Sequence, residues 1–462
     1  MSRSNPNRSM KGMLVVFSVL FVMLASYLFY STVTYGEQWF SSPYNPRISA
    51  SRKVADAGSI YDRNGMPLAW SEGSVRRYAE DPEIRRAVCH VVGDVYGKSM
   101  GAEAFYARYL YGYDQGLIDR FVTAFEGDRK GGDVYLTIDA RLCGYILEHM
   151  DFQGAVVLMN YETGEILASV SNPTFDPEAI PDGEEEETGS QYLNRVTQGR
   201  YPPGSTMKIV TAACAIENGV TDAVYDCPGE IVIAGQRITC PRDGGHGEED
   251  LAGAFEDSCN VYFAQLAVTL GADRMTQTAD RFLFNHAWHL ADFAMLESSY
   301  SAGSNNGDLA WSGVGQYRDL ITPMHNLLIS GAVARQGSMI EPQTLLDVRY
   351  GGRSGYTYTP HTLGDPVSSS VAGTLGALMR ATVLEGTATS ADIEEAAVSG
   401  KTGTAEYTDN GETRNHSWFV GFSQDPAHPL AIAVILEGAG YGSRYATPLA
   451  GRVLSRAIEL GY

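Results

Sequence analysis

A serine and a lysine at helical spacing are the first side chains in this sequence whose types could do chemistry together. They lie in YPPGSTMKIVTAACAI, where Lys208 follows Ser205 by three residues. Proline and glycine immediately before Ser205 cannot occupy a helix interior, so the segment predicts a helix from about residue 205 to residue 218. Ser205 and Lys208 would then lie one turn apart on the same face of that helix.

A pair of this kind could carry out nucleophilic catalysis. The positive end of the helix dipole favours an attacking serine alkoxide. The same dipole, together with burial among Met207, Ile209 and Val210, disfavours a lysine ammonium, so the pKa of Lys208 should fall and the amine could act as a base. The alternative is a serine N-cap followed by an exposed lysine, because four-residue patterns recur by chance.

A second segment, FEDSCNVYFAQLA, could add polar groups to such a site. Ser258 and Asn260 could point at one place from a short loop between helices, although residues 304–306 (SNN) match the same pattern. Cys259 lies between them without the histidine context that a cysteine nucleophile needs, and we interpret it as a small buried residue.

A third segment, VSGKTGTAEYT, is typical of a strand. Gly403 would let a substrate backbone lie close along the edge of that strand. Lys401 and Thr402 could bind a carboxylate. The backbone N–H groups of Ser205 and Thr404 could then form an oxyanion hole.

The three segments STMK, SCN and KTGT, in this order, resemble the motif set of penicillin-binding proteins and serine β-lactamases. Longer stretches are similar to class B penicillin-binding proteins: LNRVTQGRYPPGSTMKIVTA, GAVVLMNYETGEILASVSNPTFDP and HSWFVGF. GSIYDRNGMPLA resembles the start of their membrane-proximal module, the pedestal. The resemblance covers nearly the whole chain from about residue 58 and fits the compact members with a short pedestal.

This resemblance implies a peptidoglycan D,D-transpeptidase that cross-links stem peptides and that β-lactams acylate as substrate mimics. Ser205 would be the nucleophile and Lys208 the general base for acylation. Ser258 would pass the proton to the leaving amine, and Asn260 would position the substrate amide.

The same resemblance implies that Lys401 and Thr402 hold the terminal carboxylate of the substrate. It also implies a membrane-embedded glycan polymerase as partner and requires no cofactor. One alternative is a D,D-carboxypeptidase or β-lactamase that hydrolyses the acyl-enzyme, although no glutamate for activating water can be placed. Another is a non-catalytic activator or scaffold of a cell-wall synthase. The sequence does not distinguish roles in elongation (cell shape), cell division and sporulation.

Residues 12–30, GMLVVFSVLFVMLASYLFY, form an uncharged apolar run long enough to cross a membrane as a helix. Arg3, Arg8 and Lys11 precede it, so the positive-inside rule predicts that residues 1–11 are cytoplasmic and that the rest lies outside the cell membrane. The alternative is a cleaved signal peptide, but no A-x-A cleavage site follows the run.

The remaining pattern predicts an α+β fold: a transmembrane helix at 12–30, a linker and small α+β pedestal at 31–132, and a transpeptidase domain at 133–462. That domain would resemble penicillin-binding proteins and serine β-lactamases, with an antiparallel sheet between helical layers. The expected strands include 154–161, 165–172, 399–408, 416–423 and 430–437. The expected helices include 140–150, 205–218, 255–270, 368–384 and 448–460.

Charge and cysteine content narrow the function further. A formal net charge of −21 without a basic run argues against nucleic-acid binding, and the acidic residues 184–187 are typical of a solvated loop. The six cysteines lack C-x-x-C spacing, so we expect no zinc ribbon and no metal. Cys227 and Cys240 bracket a predicted hairpin and could form a disulfide, although two reduced thiols remain open.

Overall fold

The computed structural model describes most of the chain, in stretches that carry the helices and strands given below. The described residues are 6–41, 57–112, 131–180, 190–290, 292–356, 358–409 and 411–462. The acidic run 184–187 and much of the predicted linker and pedestal, residues 42–56 and 113–130, lie outside them.

The helices agree with the sequence prediction in most of the catalytic half of the chain. They are α1 (Pro6–Ser41), α2 (Pro82–Ala87), α3 (Cys89–Val92), α4 (Ala102–Phe105), α5 (Ala107–Leu110), α6 (Ala140–Glu148), α7 (Lys208–Glu217), α8 (Leu251–Glu256), α9 (Asn260–Leu270), α10 (Ala272–Arg281), α11 (Asn306–Gly313), α12 (Pro323–Ala334), α13 (Ser369–Leu384) and α14 (Ala446–Glu459). Short 3₁₀ turns occupy Ser190–Tyr192, Gly204–Met207 and Thr389–Ala391. The helix predicted at 255–270 is wrong in one respect, because it is broken between Glu256 and Asn260.

The strands are mostly short outside the central sheet. They are β1 (Ile60–Tyr61), β2 (Pro67–Glu72), β3 (Val75–Tyr78), β4 (Asp133–Leu136), β5 (Gly154–Asn160), β6 (Ile166–Asn172), β7 (Tyr225–Cys227), β8 (Glu230–Ile233), β9 (Gln236–Thr239), β10 (Gly247–Glu249), β11 (Met339–Ile340), β12 (Leu345–Tyr350), β13 (Arg353–Ser354), β14 (Thr362–Gly364), β15 (Val398–Asp409), β16 (Glu412–Ser423) and β17 (Leu430–Leu436).

A five-stranded antiparallel sheet forms the centre of the catalytic half, in the order β15-β16-β17-β5-β6. All seven residues of β17 are buried, so both faces of the sheet are covered. Helices α12 and α13 pack together, α6 packs against α14, and each pair contacts the sheet. The prediction of an antiparallel sheet between helical layers, and with it the α+β class, is confirmed. Strand β15 is left at one edge, where it carries residues 401–404.

A second, six-stranded sheet has the order β13-β12-β4-β1-β2-β3. Strands β1 and β2 form the hairpin predicted from GSIYDRNGMPLA, with Ile60 opposite Ala69. Strand β4 pairs in parallel with β1 and antiparallel with β12, which joins Val134 to both Ile60 and Val348. Because this sheet combines strands from both sides of residue 132, the division into 31–132 and 133–462 stays a prediction.

The long N-terminal helix α1 contains a segment that is long and apolar enough to cross a membrane. It runs from Met10 to Thr34, and its most apolar 18-residue window has a mean hydropathy of 2.4. At about 1.5 Å per residue, such a helix exceeds a hydrocarbon core of about 30 Å. The segment contains the predicted span, residues 12–30, and extends it at both ends.

Candidate active site

The three predicted segments meet at one cleft of about 430 Å³. Ser205, Ser258, Asn260, Thr402 and Thr404 all line it. The cleft has two walls. We call the part built from residues 204–208 and 257–260 the helical wall, and the part built from β15 the strand wall.

Ser205 sits in the 3₁₀ turn Gly204–Met207, which runs directly into α7. Gly204 precedes it with a φ of +55°, and its N–H donates to the carbonyl oxygen of Gly315 at 2.8 Å. A Cβ on Gly204 would lie 2.5 Å from the carbonyl oxygen of Thr404. Glycine is therefore required twice, for the left-handed backbone and for the close approach of β15. The helix begins where the sequence predicts, with a tighter first turn.

Gly403 has a packing role that the sequence did not indicate. A Cβ there would meet the Cβ of Trp418 at 2.8 Å, the Cγ2 of Thr206 at 3.0 Å and the carbonyl oxygen of Pro203 at 3.2 Å. The missing side chain thus lets β15 pack against the turn that carries Ser205. The close approach of a substrate backbone along the strand edge at Gly403 stays a prediction.

Lys208 is fully buried, and its ammonium is held by the SCN segment. Its Nζ donates to the carbonyl oxygen of Ser258 at 2.6 Å, to Ser258 Oγ at 3.2 Å and to Asn260 Oδ1 at 2.8 Å. Burial lowers the pKa of Lys208 to about 8. Among the described residues, the partly exposed Ser205 hydroxyl has no hydrogen bond. The Ser205 hydroxyl is therefore not hydrogen-bonded to Lys208, and catalytic hydrogen bonds of this kind often form only when substrate binds.

The SCN tripeptide is a junction between two helices, which explains the break in the predicted helix 255–270. The N–H of Ser258 donates to Phe255 and that of Cys259 donates to Ala254, a Schellman ending of α8. Ser258 occupies the left-handed position of this motif with a φ of +58°, an unusual conformation for a side-chain-bearing residue. Cys259 then caps α9, and its Sγ accepts from Tyr262 N at 3.3 Å.

The competing SNN pattern at 304–306 is a helix cap. Asn305 caps α11 and accepts from Gly307 N and Asp308 N. The hydroxyl of Ser304 donates to Asp308 at 3.2 Å. Within the described residues, neither side chain contacts Lys208, so SCN is the segment that belongs to the cleft.

On the strand wall, Lys401 is fully buried and has few partners. Within the part of the chain that the structure describes, its Nζ makes one long hydrogen bond, to the carbonyl oxygen of Thr402 at 3.5 Å, and lies 5.5 Å from the centre of the Phe255 ring. Burial, and next the nearby Lys208 charge, lower the pKa of Lys401 well below its usual value.

Two threonine hydroxyls meet beside Lys401 at the strand wall. Thr402 Oγ1 and Thr387 Oγ1 lie 2.7 Å apart, and both residues line the cleft. Sequence reasoning missed Thr387, because it lies in a loop that no motif marks. Thr404 lines the same cleft and accepts from Gly442 N at 3.3 Å, while its N–H as half of an oxyanion hole stays a prediction.

A cluster of cysteines adjoins the helical wall, and sequence reasoning also missed it. The ligand atoms of Cys227, Cys240, His246 and Cys259 all lie within 4.8 Å of one another. Cys227 and Cys240 are close, as predicted, with their sulfurs 3.5 Å apart and both thiols free in this structure, so the possible disulfide stays a prediction beside the alternative of two reduced thiols. The only sequence signal is the concentration of three cysteines and a histidine between residues 227 and 259.

Comparisons with known proteins agree with this geometry. The family described as "Penicillin binding protein transpeptidase domain" matches residues 154–455. The peptidoglycan D,D-transpeptidase PbpA of Mycolicibacterium smegmatis is 27% identical over 98% of this chain and 100% of its own. The peptidoglycan D,D-transpeptidase MrdA of Escherichia coli K12 is 26% identical, over 84% of this chain and 68% of its own.

Solved structures give the same result. The penicillin G acyl-enzyme of penicillin-binding protein A from M. tuberculosis superposes with a TM-score of 0.78 at 26% identity, covering 88% of this chain and 100% of that one. A D,D-transpeptidase domain from Eggerthella lenta superposes with a TM-score of 0.75 at 28% identity, covering 88% of this chain and 99% of that one.

Proposed function

The chain belongs to the family of penicillin-binding protein transpeptidases, and we propose that it is a peptidoglycan D,D-transpeptidase whose acyl-enzyme forms on Ser205. It is a serine acyl transferase, and β-lactams are its covalent inhibitors. The observation that carries the assignment of residues is the set of three hydrogen bonds from Lys208 to Ser258 and Asn260, one turn from Ser205.

The acylation step follows from the helical wall. Ser205 Oγ attacks the carbonyl carbon between the two terminal D-alanines, and the neutral amine form of Lys208, which its lowered pKa makes accessible, takes the hydroxyl proton. Ser258 Oγ then gives its proton to the nitrogen of the leaving D-alanine as the C–N bond breaks, and it recovers a proton from the Lys208 ammonium to which it is hydrogen-bonded. The N–H groups of Ser205 and Thr404 stabilise the negative oxygen of the tetrahedral intermediate.

The strand wall binds the end of the substrate that does not react. The terminal carboxylate lies against Lys401 and the paired hydroxyls of Thr402 and Thr387. This carboxylate is the anionic partner that Lys401 lacks within the described residues. Asn260 lines the cleft, and its amide, held by Lys208 and the carbonyl oxygen of Thr239, would orient the peptide backbone of the stem. An amine of a neighbouring stem then attacks the acyl-enzyme and restores the Ser205 hydroxyl.

The test uses the detergent-purified full chain and a synthetic stem pentapeptide. With a different D-amino acid as acceptor, we expect exchange of the terminal D-alanine to exceed its hydrolytic release. Labelled penicillin should stay on Ser205 for hours. Rapid release of penicilloate, or hydrolysis without exchange, would instead establish the carboxypeptidase or β-lactamase alternative.

We also propose that residues 1–11 are cytoplasmic and that the catalytic domain lies outside the cell membrane. The support is the basic flank of the apolar helix, since Lys11, Arg3 and Arg8 all precede it. Protease added to intact spheroplasts should remove the catalytic domain. Cleavage of an N-terminal tag with the domain intact would reverse the orientation.

A membrane-embedded glycan polymerase is the proposed partner, bound through residues 12–30 and the pedestal. Replacing both segments with unrelated ones should weaken its co-purification with the full chain. The proposal fails if co-purification is unchanged by that replacement.

A further inference from the structure

We propose that Cys227, Cys240, His246 and Cys259 bind a zinc ion that holds the helical wall of the cleft in place. Three thiolates and one imidazole are a ligand set typical of structural zinc sites, which are four-coordinate and closed. Cys227 and Cys259 are buried, while Cys240 and His246 are partly exposed and line the cleft. The ion therefore has a path of entry.

Three of the six separations between the ligand atoms match the edges of a tetrahedron around one ion, and all six lie within 4.8 Å. With zinc bonds of about 2.3 Å to sulfur and about 2.0 Å to nitrogen, a tetrahedral edge is roughly 3.8 Å between two sulfurs and roughly 3.5 Å between sulfur and nitrogen. The observed separations are 3.5 Å for Cys227 Sγ to Cys240 Sγ, 3.6 Å for Cys240 Sγ to Cys259 Sγ and 3.5 Å for Cys227 Sγ to His246 Nδ1. A disulfide would require about 2.05 Å.

The backbone around the cluster is folded to bring the four ligands together from separate segments. Cys227 ends β7, which pairs with β10 so that Cys227 lies opposite Gly247. The N–H of His246 donates to the carbonyl oxygen of Cys227 at 3.0 Å. Gly245, with a φ of +79°, permits this turn, because a Cβ there would lie 1.9 Å from that same oxygen.

Backbone donors at the start of α9 point at two of the sulfurs. Cys240 Sγ accepts from Asn260 N at 3.1 Å and from Val261 N at 3.4 Å, and Cys259 Sγ accepts from Tyr262 N at 3.3 Å. These N–H groups lie at the positive end of a helix dipole, where a negative thiolate is favoured over a neutral thiol. Hydrogen bonds to the ligands from a second layer of groups are a regular part of metal sites.

The ion would affect catalysis by positioning the residues that hold Lys208, and this part of the inference rests on the proposed function. Cys259 lies between Ser258 and Asn260, the two residues that hold the Lys208 ammonium. Asn260 is additionally tied to the segment before Cys240, since its Nδ2 donates to the carbonyl oxygen of Thr239 at 2.9 Å. Zinc would fix these segments to one another, so that the unusual backbone of Ser258 stays in the geometry that Lys208 needs.

The first measurement is the metal content of the full chain, purified in detergent without chelator and equilibrated with zinc. We expect about one zinc per chain, the stoichiometry of a single four-ligand site. Cys227→Ser and His246→Ala should each lose it, whereas the matched control Cys143→Ala should keep it, because Cys143 is buried in α6, away from the cluster. A zinc-free wild-type protein, or a Cys227–Cys240 disulfide as its main form, would overturn the site.

Cobalt replacement in the wild-type chain tests the site even if the substituted variants fail to fold. Cobalt bound at the site should show the visible absorption of a tetrahedral thiolate complex, and an octahedral spectrum would contradict the ligand set.

Zinc removal should slow acylation by penicillin roughly ten- to a hundredfold, with the label still on Ser205, and zinc should restore the rate. An unchanged rate would overturn the positioning role. Zinc binding by a wild-type chain that never reacts with penicillin would overturn the proposed function and leave the zinc site intact.

Discussion

The helical wall and the strand wall each bury a lysine completely, but they treat its charge in opposite ways. Within the described residues, Lys208 has three oxygen acceptors within 3.2 Å, whereas Lys401 has one hydrogen bond of 3.5 Å, and each lies near one aromatic ring. A buried ammonium without acceptors is disfavoured. The helical wall therefore supplies the acceptors that its lysine needs, whereas the strand wall does not. This difference supports the proposal that Lys208 transfers protons and that Lys401 binds an anion.

The largest expected effect comes from removing the nucleophile of the helical wall. Ser205→Ala should abolish covalent labelling by a fluorescent penicillin, because it removes the attacking oxygen. Lys208→Ala should lose most labelling, and the double variant should be little worse than either single one, because the two residues act as a unit. The free energy of unfolding should change by no more than about 0.5 kcal/mol in Ser205→Ala, because the hydroxyl makes no hydrogen bond among the described residues. A label found on Cys259 or Ser304 in Ser205→Ala protein would contradict the site.

The second prediction concerns stability, and here the two walls should respond with opposite signs. Lys208→Met leaves Ser258 and Asn260 with acceptors that have lost their donor, which should destabilise the fold by about 1–3 kcal/mol. Lys401→Met removes an amine that has almost no partners and fills its space, which should be neutral or stabilising by about 1 kcal/mol. Thermal unfolding of both variants in the same detergent measures the comparison. Equal destabilisation by the two changes would refute the contrast between the walls.

The sequence predicted the catalytic half well where its signal was local. Apolar runs placed β5, β6 and β17, and proline with glycine placed the helix start at Ser205. The motif order also indicated which residues meet, although residues as distant as Ser205 and Thr402 come together only through the order of strands in the sheet. Fold, family and activity could therefore be predicted from patterns.

Features that depend on contacts between distant segments could not be predicted in the same way. The helix break at Ser258 has no glycine to mark it, since a serine occupies the left-handed position. The role of Gly403 depends on Thr206 and Pro203, and the partner of Thr402 is Thr387 in a separate loop. The cysteine and histidine cluster lacks the short spacing by which metal sites are recognised, because its ligands come from several elements.

A smaller effect is expected from the hydroxyl pair on the strand wall. Thr402→Val and Thr387→Val should each weaken the apparent affinity for the stem pentapeptide by about 1 kcal/mol, or roughly fivefold, because each removes one hydrogen bond to the carboxylate. The bond-making atoms are untouched, so the maximal acylation rate should change less than the concentration for half-saturation. The double variant should cost less than the sum, since the two hydroxyls already bond each other. Additive losses would show that they act separately.

The smallest expected effect is the uptake of one proton when the ligand binds, and it tests the role of Lys401 in the strand wall. Burial and the Lys208 charge lower the pKa of Lys401 in the free enzyme, which favours the neutral amine as pH rises. A bound carboxylate raises the pKa of Lys401, so binding should draw a proton onto Lys401 between its free-enzyme pKa and its higher pKa in the complex, and should draw none well below or well above that window. The non-covalent affinity of Ser205→Ala protein for penicillin should accordingly fall as pH rises through that window. Calorimetry in buffers of different ionisation enthalpy measures the uptake, and Ser205→Ala/Lys401→Met protein should show less of it. If both proteins took up the same number of protons, Lys401 would not be the group that meets the carboxylate.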